Sequence, residues 1–236
     1  MSAPFHSEII SGPYGGTECA AVRFLPCPGG CAGCTRASSF ERSHVLVPLT
    51  PAEDIALKAS DQGVKDVLLL GESVLMWQSA PAFVDLVAHL GELECRVHVE
   101  TGLREDIDAS SEIERSISQF MIRPAIGPTA AVEDVAGRRL KMEAIPTFKR
   151  LARGGRAHFL IYAKDLFDVW DTAVFVAAHE IRPELVWVEP QAQRAASVAT
   201  TKADRARTQR IVDAAVAEGF QITKDEMRHA GDDDGS

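Results

Sequence analysis

Three cysteines, Cys27, Cys31 and Cys34, lie in the run Leu25-Pro26-Cys27-Pro28-Gly29-Gly30-Cys31-Ala32-Gly33-Cys34. The spacing is C-x3-C-x2-C, in a glycine-rich segment just after the apolar stretch Ala20 to Leu25. Three thiolates this close can hold three corners of a cubic [4Fe–4S] cluster and leave the fourth iron without a protein ligand. Clusters that only carry electrons are usually closed by a fourth cysteine. An open iron is what an enzyme needs if a small molecule is to bind the metal. Gly29, Gly30 and Gly33 let the backbone wrap closely, and amides in such a loop can tune the reduction potential. Two other readings stay open on spacing alone. A three-cysteine zinc site completed by His44 would give four ligands, and the spacing can arise by coincidence. A disulfide framework fits poorly, because the chain has five cysteines, an odd number, and no secretory signal precedes them. Cys19 and Cys95 offer no second paired knuckle for zinc.

A loop of this kind needs a scaffold, and the sequence supplies one. Apolar runs of strand length recur at Cys19 to Leu25, Asp66 to Leu70, Arg96 to Glu100, Phe120 to Ile122, His158 to Tyr162 and Leu185 to Glu189. Between them run helical patterns. Thr50-Pro51-Ala52-Glu53 reads as a capping box with proline at the first helical position. Ala80 to Leu93 carries Phe83, Leu86, Val87 and Leu90 at helical spacing. Arg138 to Ala152 is helical, with a kink or restart expected at Pro146. Leu166 to His179 and Lys202 to Glu218 complete the set, and Phe220-Gln221-Ile222 offers a last short strand. Near-continuous apolar strands with helical crossovers predict a parallel sheet covered on both faces. Six units are too few for a closed eight-fold barrel, so the expected fold is α/β, a partial, open six-stranded parallel β/α barrel. In such sheets active groups lie beyond the C-terminal ends of the strands. The cysteine loop, Gly71-Glu72-Ser73, Glu100-Thr101-Gly102, Pro124 and Glu189-Pro190-Gln191 all fall there.

Composition narrows the function. At 236 residues and 46% hydrophobic the chain can bury a full core, and a single domain over 1–236 is expected, with a solvated acidic tail from about residue 230. No apolar run is long enough for a transmembrane helix. Met1 to His6 lacks the basic and apolar regions of a signal peptide. The expectation is a reducing, cytoplasmic setting without membrane contact. A net charge of −9 argues against a large nucleic-acid surface, where a basic patch would be expected. It leaves room for a small anionic substrate held by one or two arginines.

The C-x3-C-x2-C spacing is the signature of the radical S-adenosylmethionine enzymes, whose open iron takes the amino and carboxylate groups of that cofactor. Further segments resemble one family of them, the 7-carboxy-7-deazaguanine synthases of the queuosine and deazaguanine pathway. Gly12-Pro13-Tyr14-Gly15-Gly16 followed by Ala21-Val22-Arg23-Phe24 is similar to the family's entry strand. Leu70-Gly71-Glu72-Ser73-Val74-Leu75 stands where it has Gly-Gly-Glu-Pro-Leu-Leu. Arg96 to Gly102 is similar to its Val-x-x-Glu-Thr-Asn-Gly, Arg123-Pro124-Ala125 to its Ser-Pro-Lys, and Gly219 to Thr223 to its Gly-Phe-Arg-x-Thr. The chain also departs from the pattern. The Gln-Gly-Glu-Gly entry stretch is shortened to Ser11-Gly12-Pro13. The Asp-Thr after the third cysteine becomes Thr35-Arg36. The first glycine of Gly-Gly-Glu is Leu70, Ser-Pro-Lys has lost its serine and lysine, and the tryptophan-bearing tail is largely gone. The cluster and cofactor segments match better than the substrate and magnesium segments.

The resemblance implies a carbon–nitrogen lyase. It would convert 6-carboxy-5,6,7,8-tetrahydropterin to 7-carboxy-7-deazaguanine, with hydrogen removed from C6, the ring contracted and ammonia lost. It implies a [4Fe–4S] cluster on Cys27, Cys31 and Cys34, S-adenosylmethionine near Gly71, Glu72, Glu100 and Pro124, and Mg2+ near Thr35. It also implies a homodimer and an electron donor such as flavodoxin or ferredoxin. Glu72 would meet the cofactor's ammonium group and Glu100 its ribose hydroxyls. Arg23, on the first strand just before the cluster loop, would hold the substrate carboxylate through two parallel hydrogen bonds, with Gly71 close by; Arg36 and Arg123 are the alternatives for that role. Each residue also has a plainer reading. Gly71-Glu72 can be a strand-ending turn, Glu100 a solvated loop carboxylate, Arg23 an edge ion pair, Thr35 a turn residue and His98 a hydrogen-bonded packing residue. Trp77, Trp170 and Trp187 read as core or interface. A radical enzyme acting on another substrate, such as an activase, and a non-catalytic iron–sulfur or zinc protein are the competing functions.

Overall fold

The structure, a computed structural model, describes residues 5–14, 17–24, 50–70, 74–108, 112–126, 141–190 and 202–223; before residue 50, side chains are described at 19–22. The chain divides into two compact units between Ala157 and His158.

In the first unit β1 (Phe5–Tyr14) and β2 (Thr17–Phe24) form an antiparallel hairpin, with Tyr14 opposite Thr17. Next come α1 (Ala52–Ser60), β3 (Asp66–Leu70), α2 (Pro81–Glu92), β4 (Arg96–Thr101), the short α3 (Glu112–Ser116), β5 (Ile117–Ile122) and α4 (Ile145–Arg153). The strands lie in chain order, and β2, β3, β4 and β5 are parallel to one another. All five residues of β3 are buried, as a parallel strand covered on both faces requires. One face presents Ala20 and Val22, Val67 and Leu69, Val97 and Val99, then Phe120 and Ile122, all almost fully buried. Helices α1 and α2 pack against this sheet. The alternate face carries Cys19 and Ala21, Leu68 and Leu70, and Met121, which form a second buried cluster.

Helix α2 forms as its periodicity predicts, with proline in its first turn and Phe83, Leu86, Val87 and Leu90 buried. Pro146 restarts the next helix rather than kinking it. A 3₁₀ turn over Met142–Ala144 runs into α4, with the proline in the first turn of the helix, where its missing N–H costs nothing. Phe148 of α4 packs edge-to-face on Phe120 of β5 at 6.1 Å. Behind them Glu114 of α3 takes Arg150 at 3.0 Å and Arg156 at 3.2 Å. The expected capping box at Thr50 does not form. Pro51 takes the N-cap of α1 and has no side-chain acceptor to offer.

The second unit holds β6 (Ala157–Ala163), whose first residue belongs to the other unit, then α5 (Leu166–Ala178), β7 (Val186–Pro190), α6 (Lys202–Ala217) and β8 (Gln221–Ile222). β6, β7 and β8 are parallel and in chain order. Here a reciprocal capping box does form: Asp165 accepts from the backbone of Phe167 and Asp168, and Asp168 reaches back to the Asp165 amide. Past the end of α6, Gly219 has φ +81° and faces Pro183, so only glycine turns there without strain.

The six expected strands are all present and run as predicted, with β8 as a seventh parallel strand. The sequence reading missed β1. It is an edge strand carrying Pro13, and its alternation is weak. A two-residue Gly15-Gly16 link between Tyr14 and Thr17 was the signal for the hairpin. Helix α3, at five residues, is too short for periodicity to reveal.

Candidate functional site

Because β2 to β5 are parallel, their last residues, Phe24, Leu70, Thr101 and Ile122, mark one edge of the first unit. Cys27 follows β2 by three residues, and Gly71 follows β3 directly. Arg23 is the penultimate residue of β2 and lies in register with Leu70. Alternation places Leu70, Glu100 and Met121 on the same face, away from α1 and α2. Cys27, Cys31, Cys34, Thr35, Gly71 and Glu72 themselves lie outside the described residues. Among the described residues no group of three His, Cys, Asp or Glu side chains is arranged to hold a metal.

Glu100 is not a solvated loop carboxylate. It is 1% exposed and accepts from Arg123 Nη1 at 2.5 Å. Arg123 in turn is tied down through its backbone, whose N–H donates to the Thr101 carbonyl. Pro124 is buried just past β5. The edge therefore carries a fixed carboxylate–guanidinium pair, with the proline beside it. An ionised carboxylate has about four lone-pair sites, so Glu100 can hold Arg123 and still accept from a ligand hydroxyl.

Sequence reasoning missed the segment after β4. Residues 102–107 are largely buried, and they include Arg104 at 5% exposed and Glu105 at 9%. Leu103 is fully buried with φ +60°, a left-handed conformation that costs a branched side chain about 1 kcal/mol or more. The loop is over-determined from several sides. Gln78 donates to the Asp106 carbonyl at 2.8 Å and accepts from the Asp108 amide at 3.2 Å, while Lys141 N–H donates to the Leu103 carbonyl. Charged residues following a strand read as solvated in one dimension, and no local pattern marked these as buried.

The opposite edge carries a separate polar cluster. Asp66, the first residue of β3, accepts from Arg96 at 2.5 Å and pairs with His98 Nε2 at 2.7 Å. Burial alone would raise its carboxyl, but the hydrogen bonds from Arg96 and His98 hold it below the usual carboxylate value. Burial, and then the Asp66 charge, push the Cys19 thiol up, so it stays protonated and unreactive. His98 is thus a structural partner of Asp66 on the edge away from the cysteine loop.

In the second unit the penultimate residues of β6 and β7, Tyr162 and Glu189, are partners in register, and both are half-buried. Pro190 closes β7. Trp170 is not core: it is 49% exposed and meets Phe167 edge-to-face along α5.

No protein-family model matches the chain, and no curated protein matches its sequence. Solved structures do match. QueE from Escherichia coli aligns at 14% identity over 93% of this chain and 92% of its own, with a TM-score of 0.60. That likeness shows the fold. This chain has an open α/β fold with a parallel sheet, as that structure does. SuiB from Streptococcus suis, bound to S-adenosylmethionine, covers 74% of this chain and 43% of its own, at 14% identity and a TM-score of 0.47. A domain of pyruvate-formate lyase-activating enzyme from Bacteroides vulgatus covers 66% and 96%, at 15% identity and a TM-score of 0.45. Among the described residues no helix is long and apolar enough to cross a membrane.

Proposed function

We propose that the protein is a radical S-adenosylmethionine enzyme, a carbon–nitrogen lyase that converts 6-carboxy-5,6,7,8-tetrahydropterin to 7-carboxy-7-deazaguanine with loss of ammonia. One observation carries the reading: a C-x3-C-x2-C run leaves the C-terminal end of β2 in a chain that shares its fold, over nine-tenths of its length, with a 7-carboxy-7-deazaguanine synthase. The donor chemistry fits a cubane, since three thiolates and no fourth cysteine at that spacing leave one iron open. Cys27, Cys31 and Cys34 would hold the cluster, which together with S-adenosylmethionine supplies an electron and a hydrogen-abstracting radical.

The chain's own residues do the rest. Gly71, immediately past β3, lets a ligand approach the backbone closely. Glu72 is the acceptor for an ammonium group. Glu100, held by Arg123, is the acceptor for ribose hydroxyls; its buried ion pair fixes the carboxylate before the ligand arrives, which lowers the cost of binding. Pro124 holds the backbone after β5 in one conformation. Arg23 would hold the substrate carboxylate with its planar, two-pronged donor set. Thr35 offers a hydroxyl to Mg2+. The reading includes a reducing partner such as flavodoxin or ferredoxin, a homodimer and a cytoplasmic setting.

The test is anaerobic reconstitution with iron and sulfide, followed by incubation with S-adenosylmethionine, dithionite and 6-carboxytetrahydropterin, with and without Mg2+. Expected products are 7-carboxy-7-deazaguanine and ammonia, with higher turnover when Mg2+ is present. Cleavage of S-adenosylmethionine without deazaguanine would retain the radical chemistry and reject the substrate.

A further inference from the structure

Helix α5 reads Leu-Phe-Asp-Val-Trp-Asp-Thr-Ala-Val-Phe-Val-Ala-Ala, and it is apolar on two opposite faces. One face, with Val169, Thr172, Phe175 and Val176, is buried. The Thr172 hydroxyl donates to the Asp168 carbonyl, so this face keeps its one polar group satisfied. The other face points to solvent. It carries Phe167 at 69% exposed, Trp170 at 49% and Val174 at 69%, with Ala177 and Ala178 exposed after them. No polar residue interrupts that arc. Asp168 and Asp171 lie to one side of it, and Asp168 is turned back onto the amides of Lys164 and Asp165. A surface helix ordinarily carries charge opposite its apolar stripe, and a helix that is apolar all round is a buried one. Phe167 and Trp170 meet edge-to-face at 5.3 Å, so the aromatic end of the stripe is a single packed plate. The three large side chains leave about 400 Å² of contiguous apolar surface open, within the range that marks a contact site on a monomer.

We propose that this face of α5 is the interface with a second copy of the chain, the two helices packing antiparallel about a two-fold axis. Phe167, Trp170, Val174 and Ala177 follow one another at intervals of three, four and three residues, the seam of a two-helix coil. Side-chain size falls along that seam, from two aromatics through valine to alanine. Antiparallel pairing sets Phe167 over Ala177 of the other copy and Trp170 over its Val174, so large meets small in each layer. Parallel pairing would crowd aromatics at one end and leave a gap between alanines at the other. Charge selects the same arrangement. Asp165, Asp168 and Asp171 all lie in the first half of the helix region, and no Lys or Arg occurs between residues 165 and 179. Antiparallel pairing keeps the two acidic ends apart. It also sets the exposed Lys164, just before α5, at the same end of the pair as the exposed Glu180 of the other copy. The acidic flank disfavours other occupants. An anionic membrane surface asks for Lys and Arg beside the apolar stripe, and the chain's own Asp232, Asp233 and Asp234 would meet like charge. Every contact of a two-fold pair occurs twice, so the two stripes cover about 800 Å² and their rims bring the total to about 1,000 Å², the lower bound of a specific interface. The proposal gives a face to the homodimer of the reading above and does not depend on the reaction.

Sedimentation equilibrium of the full, reconstituted chain across the micromolar range tests it. The wild type should dimerise with a micromolar Kd. Val174→Glu sets a carboxylate against Trp170 twice per dimer and should weaken the dimer by about a hundredfold. Val174 is exposed, so circular dichroism and the denaturation midpoint of the monomer should be unchanged. Phe167→Lys and Ala177→Glu should each be monomeric alone. Mixing these two variants should restore a dimer, because only the antiparallel register sets the new lysine of one copy on the new glutamate of the other. If Val174→Glu does not fold, the mixing experiment decides alone. A wild type that stays monomeric overturns the proposal, as does a wild-type dimer that Val174→Glu leaves intact. A mixture that stays monomeric overturns the antiparallel pairing. Product analysis keeps the two claims apart. An α5-dependent dimer without deazaguanine rejects the reaction and keeps the interface, whereas deazaguanine made by a monomeric wild type does the reverse.

Discussion

At the scale of single residues, two carboxylates show how burial and partners set their roles. Glu100 and Asp66 both lie on the face turned away from α1 and α2, at opposite ends of their strands. Glu100 is locked by Arg123 near the C-terminal end of β4, while Asp66 holds two strand beginnings together. The folded-state carboxyl of Asp66 is depressed. Its contribution to stability is therefore complete above its unfolded value, near 4, and is lost as pH falls through the lower folded value. Asp66→Asn should flatten the acid limb of a pH–stability curve below about pH 4, and denaturant midpoints measured across that range would show it. An unchanged limb would mean that other carboxylates dominate acid unfolding. Arg23 is the other residue to change. Arg23→Ala should lower deazaguanine formation by about a hundredfold, roughly 3 kcal/mol, and lower cleavage of S-adenosylmethionine much less. Arg23→Lys should recover only part, because a point charge lacks the planar fork. Normal turnover in the alanine variant would make Arg23 structural.

At the scale of elements, the first unit depends on how α4 docks on β5. Phe148 and Phe120 are both fully buried and meet edge-to-face, so Phe148→Ala removes an aromatic side chain and leaves a cavity. A loss of about 3–4 kcal/mol is expected in chemical denaturation, and a loss below 1 kcal/mol would show that the site collapses around the gap. Glu114 is the polar counterpart, holding Arg150 and Arg156 at once. Glu114→Gln should cost about 2 kcal/mol, less than for a fully buried pair because both guanidiniums reach solvent.

At the scale of the whole molecule, the cluster expectation is the most direct to check. Anaerobically reconstituted protein should be brown and hold about four irons per chain, as three-cysteine ligation of a cubane requires. Replacing Cys27, Cys31 or Cys34 with Ala should remove the visible absorbance, and Cys19→Ala should not, since Cys19 is a buried, protonated core residue of β2. Stoichiometric zinc with no iron would favour the His44-completed site instead.

Periodicity and composition alone determined the α/β class, the six parallel strands and the edge from which the cysteine loop departs. These depend on local spacing, and a fully apolar run such as Val67-Leu68-Leu69-Leu70 has few ways to fold other than as a covered strand. The cysteine spacing likewise reads directly as a donor set. Other features were decided only by tertiary structure. The Glu100–Arg123 pair joins residues 23 positions apart, and the Asp66–Arg96–His98 cluster spans about 30. Nothing in one dimension says which charge will meet which. Arg104 and Glu105 carry no burial signal of their own in the sequence, and they are buried where the chain after β4 folds inward around Leu103. Local sequence sets the period and ends of an element, whereas burial and pairing of charges depend on which elements become neighbours.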